Sequence, residues 1–227
     1  MQRMLAIARI IDGINAWIGR HASWLIVASI FVSAANALVR KLFDISSNGW
    51  LEVQWYLFGA TFMLCSAWTL SRREHIRIDL VVARLPRGVR HWLELLGHVL
   101  FLMPIVLLMI GLSWAALGRS VVNGAEWVTV PGFIAQLGLV LSRLAGDTAA
   151  LIGGGQAHWE YSNNPGGLPL WPAYTFIFAG FVMLAAQGVA EIVKQIAVMR
   201  GLLPEPFTGS GHGAEPAADD AGPEVAV

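Results

Sequence analysis

Charge is what this sequence has least of. Asp, Glu, Lys and Arg make up only 13% of its 227 residues, about half the share found in a soluble domain. The net charge is zero, so no global field draws the chain to nucleic acid. There is one cysteine, Cys65. It cannot form an internal disulfide and reads as a packing residue. The phosphate-cradling pattern G-x-x-x-x-G-K-S/T is absent, and so are G-x-S-x-G and H-E-x-x-H. These gaps exclude a P-loop ATPase, a hydrolase with a nucleophile elbow and a zincin. The glycine run Gly153-Gly154-Gly155 lacks the strand–helix setting that phosphate binding needs. No catalytic residue, cofactor or metal is expected.

What is present in their place is apolar length. Ala22–Val39, Val53–Leu70, Leu95–Leu117 and Leu168–Ala190 contain no Asp, Glu, Lys or Arg. Each reaches about the 20 residues that a helix needs to cross a bilayer core of about 30 Å. Without water, backbone polar groups are satisfied only in helices or closed barrels. The pattern predicts an all-α integral membrane protein, with a single membrane domain over 1–200. Its four transmembrane helices are expected at about 20–42, 50–71, 92–117 and 168–194. Trp24, Trp50, Trp55, Trp68, Trp92 and Trp171 lie near segment edges, where amphipathic rings settle at headgroup level. Ala35-Asn36-Ala37 resembles a signal-cleavage site. The long preceding region with Asp12, and Arg40 and Lys41 just after, favour an uncleaved first helix. Residues 201–227 are rich in Gly, Ala, Pro, Asp and Glu, the composition of a disordered tail.

Eleven of the fifteen Lys and Arg residues lie before the first segment, between the second and third, or after the fourth. Basic residues stay cytoplasmic, so both termini are predicted inside. The long connector between segments three and four, about 119–158, is then a periplasmic insertion. Within it, Phe133–Ile152 places Gln136, Arg143 and Asp147 on one helical face. Phe133, Leu137, Leu141, Leu144 and Leu151 fall on the other. This suits an amphipathic helix lying in the interface; a fifth crossing and packing against a partner are the alternatives. Pro104 should kink segment three or be absorbed by a local backbone adjustment.

Few polar residues sit in or beside the membrane segments. Glu52 opens segment two, where a carboxylate needs a protein interior, water or a cation. Ion coupling is one reading, and pairing with Arg40, Lys41 or a neighbouring subunit is the other. His91, Glu94 and His98 share a helical face, so a haem- or metal-binding redox subunit that also uses His75 is an alternative. A histidine bonded to a carbonyl is the plainer reading of His98. No segment carries a polar stripe of the kind that lines a pore. Arg72-Arg73-Glu74-His75-Ile76-Arg77-Ile78-Asp79 leads into a short amphipathic cytoplasmic elbow helix. It reads as a lipid-headgroup anchor or as a docking elbow for another subunit.

Three stretches taken together resemble a known family. They are Trp50-Leu51-Glu52-Val53-Gln54-Trp55-Tyr56-Leu57-Phe58-Gly59-Ala60, then Arg73-Glu74-His75-Ile76-Arg77-Ile78-Asp79 with Leu85-Pro86-Arg87, then Glu160-Tyr161-Ser162 with Gly166-Gly167-Leu168-Pro169-Leu170-Trp171-Pro172. From about Arg20 to Arg200 the chain is similar to the small, DctQ-like permease subunit of tripartite ATP-independent periplasmic (TRAP) transporters. The resemblance implies a multi-pass scaffold of the bacterial inner membrane, surrounded by lipid. Its partners would be a large multi-helix permease and a periplasmic substrate-binding protein, in a system that imports organic acids on a sodium gradient. It makes Glu52, Gln54, Trp55, Arg73, His75, Arg77 and Asp79 candidates for scaffold contact. Arg143, Asp147, Glu160, Pro169 and Trp171 are candidates for periplasmic docking. The insertion departs from the common pattern and, with the Glu52–Ala60 stretch, is similar to the branch labelled mannitol/chloroaromatic compound transport.

Overall fold

The structure is a computed structural model that describes residues 2–44, 47–72, 86–122, 127 and 132–203. Two helices that run in the same direction form its axis: α3 (Asn48–Arg72) and α7 (Trp171–Met199). Parallel neighbours need small residues to come close. Gly180 supplies one: a Cβ there would lie 2.7 Å from Met63 Cβ.

On one side of this pair lie α1 (Gln2–Ala22) and α2 (Trp24–Phe43), almost continuous through a single turn at Ser23. They run antiparallel to α3. Ser29 Oγ donates to the Gln54 carbonyl at 3.3 Å, and a Cβ at Gly19 would meet the Trp68 ring at 2.8 Å. Helix therefore begins at Gln2, well before the expected start near residue 20. The buried face of α1 is Ala8, Asn15, Gly19 and Ala22. Past Asn36, α2 is fully exposed, and so are Arg40 and Lys41 on it.

On the other side, α4 (Arg87–Leu96), a π-helical turn (Gly97–Leu102) and α5 (Met103–Val121) form one run antiparallel to α7. The π turn answers the question posed by Pro104. An α-helical proline ring collides with the carbonyl four residues back. Widening the preceding turn, so that Met103 N–H bonds the His98 carbonyl, accommodates it without breaking the run.

Among the described residues, three helical runs are long and apolar enough to cross a membrane: Gln2–Phe43, Gly88–Val121 and Trp171–Met199. The expected span in α3 is not among them. At 25 residues its length suffices. Its apolar character is diluted by Gln54, three tryptophans and four Ser/Thr residues. The insertion contains α6 (Phe133–Ile152). A hairpin-like turn over 160–170, pinned by a Tyr161↔Pro169 bridge, then leads into α7. The elbow over 73–85 and the tail from residue 204 lie outside the described residues.

Candidate functional site: a clamped hairpin and a buried polar seam

Glu52 is 5% exposed, one turn into α3, and it does not reach Arg40 or Lys41. Its carboxylate turns toward the hairpin. Oε1 accepts from Ser162 Oγ at 2.5 Å and Asn164 Nδ2 at 2.9 Å, and Oε2 accepts the Leu168 backbone N–H at 2.6 Å. Charge-assisted bonds of this length are the strong kind. Two further bonds from α3 seat the same hairpin. Asn48 Nδ2 donates to the Pro165 carbonyl (3.2 Å), and Tyr56 Oη to the Pro169 carbonyl (3.3 Å). The hairpin closes on itself through Ser162 N–H to Leu168 O and Leu170 N–H to Glu160 O, both 2.9 Å. The result is a preorganised tip, Asn163-Asn164-Pro165-Gly166, that is wholly exposed.

A second polar feature lies at the opposite end of the bundle, where α1 crosses α7. Gln187, 0% exposed, is its centre. Asn15 Nδ2 donates to Gln187 Oε1 at 2.7 Å, while Gln187 Nε2 donates to Asp12 Oδ1 (2.7 Å) and Glu191 Oε1 (3.0 Å). Lys194 Nζ bridges both oxygens of Asp12, at 2.9 and 3.1 Å, and also bonds Glu191. One turn on, Gln195 Nε2 donates to His91 Nδ1 at 3.1 Å, tying α4 into the same seam. Polar groups held between apolar helices need such partners. In the sequence, Asp12 is only a charge ahead of the first apolar segment. The available signal was Gln187, Glu191, Lys194 and Gln195 recurring at helical spacing in an apolar helix.

The other candidate residues divide. Trp55 is 67% exposed on α3, while Gln54 is half-buried with its carbonyl bonded to Ser29. Trp55, Phe58 and Phe62 border an open apolar groove, with Gly59 on its floor and Ala173, Phe176 and Ile177 of α7 as its far wall. Glu160 is exposed. Pro169 and Trp171 are half-buried and act inside the fold, with Trp171 edge-on to Trp159 at 5.6 Å. Asp147 reverses the expectation of an outward polar face, for it is 5% exposed. His158 Nδ1 lies 3.1 Å from its Oδ1, and the His158 backbone N–H donates to Oδ2 at 3.3 Å. Arg143 is half-buried. The polar face of α6 turns toward the protein because Gln136 also points there, accepting the Trp114 indole N–H at 2.8 Å. Arg73, His75, Arg77 and Asp79 lie outside the described residues.

Nothing in this geometry favours the redox alternative. His98 Nδ1 lies 2.7 Å from the Glu94 carbonyl, and His91 faces Gln195. Among the described residues no three His, Cys, Asp or Glu side chains converge as metal ligands. The polar side chains fix one helix to another and a hairpin to a helix, in a helical bundle with runs long and apolar enough to cross a membrane. Residues 29–145 match the family described as tripartite ATP-independent periplasmic transporters, DctQ component. The chain belongs to that family, which is a transporter component and not an enzyme family. In TRAP systems it functions with a large permease and a periplasmic binding protein. No curated protein and no solved structure matches the chain.

Proposed function

We propose that this chain is the small, non-catalytic scaffold subunit of a sodium-coupled TRAP transporter that imports an organic acid across a bacterial inner membrane. It crosses the bilayer four times, with both termini cytoplasmic, and braces the large permease. Family membership carries this reading. The arginine distribution supports the topology. α3, although less apolar, is held between α1, α2 and α7 and so needs less lipid contact than the other runs.

Two surfaces are assigned to the two partners. The aromatic ridge of Trp55, Phe58 and Phe62 beside the uncovered Gly59 suits a helix of the large permease, since a helix with a small residue admits close approach. The Glu52-clamped hairpin, on the periplasmic side in this topology, offers the binding protein a surface that needs no ordering on contact. Arg73, His75, Arg77 and Asp79 are assigned, on the family pattern, to holding the large subunit from the cytoplasmic side. The decisive experiment is uptake into proteoliposomes holding the large permease and the binding protein, with and without this chain. Sodium-dependent uptake of an organic acid should require it. Undiminished uptake in its absence would sink the proposal.

A further inference from the structure

The path of the insertion sets the depth of α6. Trp127 and the first turn of α6 lie back alongside α5. Trp127 packs against Gly118, where its ring atoms come within 2.3 Å of the place a Cβ would occupy. The Phe133 ring then lies 4.8 Å from that of Trp114, and Gln136 accepts the Trp114 indole N–H. The first turn of α6 is therefore level with Trp114, seven residues inside the end of α5. At 1.5 Å per residue that is about 10 Å below the end of the helix. From there α6 climbs beside α5. Val140 joins the cluster of Leu117 and Val121, and Asp147 reaches His158 near the start of the hairpin.

The outward face changes character along this climb. Its first half exposes Phe133, Ile134, Leu137 and Leu141, with Ile134 at 84%. Beyond Leu141 it exposes Ser142, Ala145, Gly146, Thr148 and Ala149. The polar side chain of the first half, Gln136, is bonded inward, and Ser142 Oγ is bonded to the Leu139 carbonyl. Leu151 and Ile152 at the far end are also exposed, so the gradient concerns residues 133–148. A helix lying flat in the interface presents one uniform apolar stripe; a helix rising out of the bilayer is apolar below and small or polar above.

We infer that the first half of α6 is a re-entrant wedge whose Phe133, Ile134, Leu137 and Leu141 side chains are embedded in the acyl chains of the outer leaflet. This rests on the proposed reading of α5 as a crossing helix. The occupant of the ridge is lipid. Its side chains are mainly branched aliphatics, unlike the aromatic ridge of α3, and its first turn lies level with Trp114, inside the apolar run of α5. The wedge fixes the height of the hairpin. The Asp147–His158 contact joins its upper end to the strand entering the hairpin, where Glu160 N–H donates to the Ser120 carbonyl at 2.9 Å.

The test uses the full chain carrying Cys65→Ser in phosphatidylcholine nanodiscs, with a single nitroxide at Ile134, Leu137, Thr148 or Leu108. Accessibility to oxygen and to a water-soluble nickel chelate is then compared. Ile134 and Leu137 should show an oxygen-to-nickel ratio several-fold above that of Thr148 and similar to that of Leu108. A nickel accessibility at Ile134 equal to that at Thr148 would place the ridge in water and overturn the inference. Protection of Ile134 from both reagents would mean that protein covers it, with the same consequence. If Leu108 itself reads as aqueous, the crossing of α5 has failed and not merely the wedge.

Discussion

A carboxylate that accepts three hydrogen bonds is poorly imitated by an amide. In Glu52→Gln one oxygen becomes a donor, which must face either the Leu168 N–H or the Ser162 and Asn164 donors. The loss of one charge-assisted bond predicts about 1.5–3 kcal/mol less stability, read as a lower unfolding temperature in detergent. Faster amide exchange at Leu168 should accompany it. In the seam, Gln187→Leu removes the partner of the Asn15 amide and one of the donors to Asp12, which keeps Lys194, and should cost about 1–2 kcal/mol. The double variant Asn15→Leu/Gln187→Leu should cost less than the sum of its singles, because two mismatched polar ends vanish together. Lys194→Met should be worse than Gln187→Leu, since Asp12 and Glu191 would lose the cation between them. Glu52 could be picked out in the sequence because it is the only carboxylate of its segment. Its donors could not, because they lie 110 to 116 residues away along the chain.

Among the helices, what sequence reveals is periodicity, and what it withholds is direction. The residues of α6 that share a face were correctly grouped, yet the polar group points inward at Trp114 and His158. Periodicity defines two faces and is silent on which one meets the protein; only the route of the connector decides. The helical start at Gln2 was obscured for a similar reason. Arg3, Arg9 and Asp12 look like a solvated flank until Lys194 and Gln187 are seen opposite. Contact between α3 and α7 supplies a sharp test of packing. Gly180→Leu must drive a side chain into Met63 Cβ and its carbonyl, at 2.7 and 2.9 Å from the first added atom. Overpacking of this kind costs about 1–3 kcal/mol or more, and the variant should lose its cooperative melt. In Gly59→Leu the added Cβ meets nothing within 4 Å. It should leave the melting temperature of the isolated chain unchanged and weaken co-purification with the large permease.

For the molecule as a whole, residues 2–19 pack as part of the bundle. Deleting them removes Asp12 and Asn15 and uncovers Gln187 and Glu191 of α7. The truncated chain should fail to give a monodisperse peak in detergent, whereas removal of residues 204–227 should not change elution. The apolar segments and the arginine bias could be read from the sequence alone, although α3 is not among the three runs of the described residues that are apolar enough to cross a membrane. The joining of opposite ends of the chain could not, because it depends on pairs such as Asp12 and Lys194, 182 positions apart. The same separation bears on biosynthesis. When Glu52 is added to the growing chain, the segment that will supply its donors lies 110 to 116 codons further on. If α3 crosses the bilayer as proposed, its carboxylate has water as its partner until that segment is made, and the first turn of the nascent helix should stay outside the hydrocarbon until the last helix arrives.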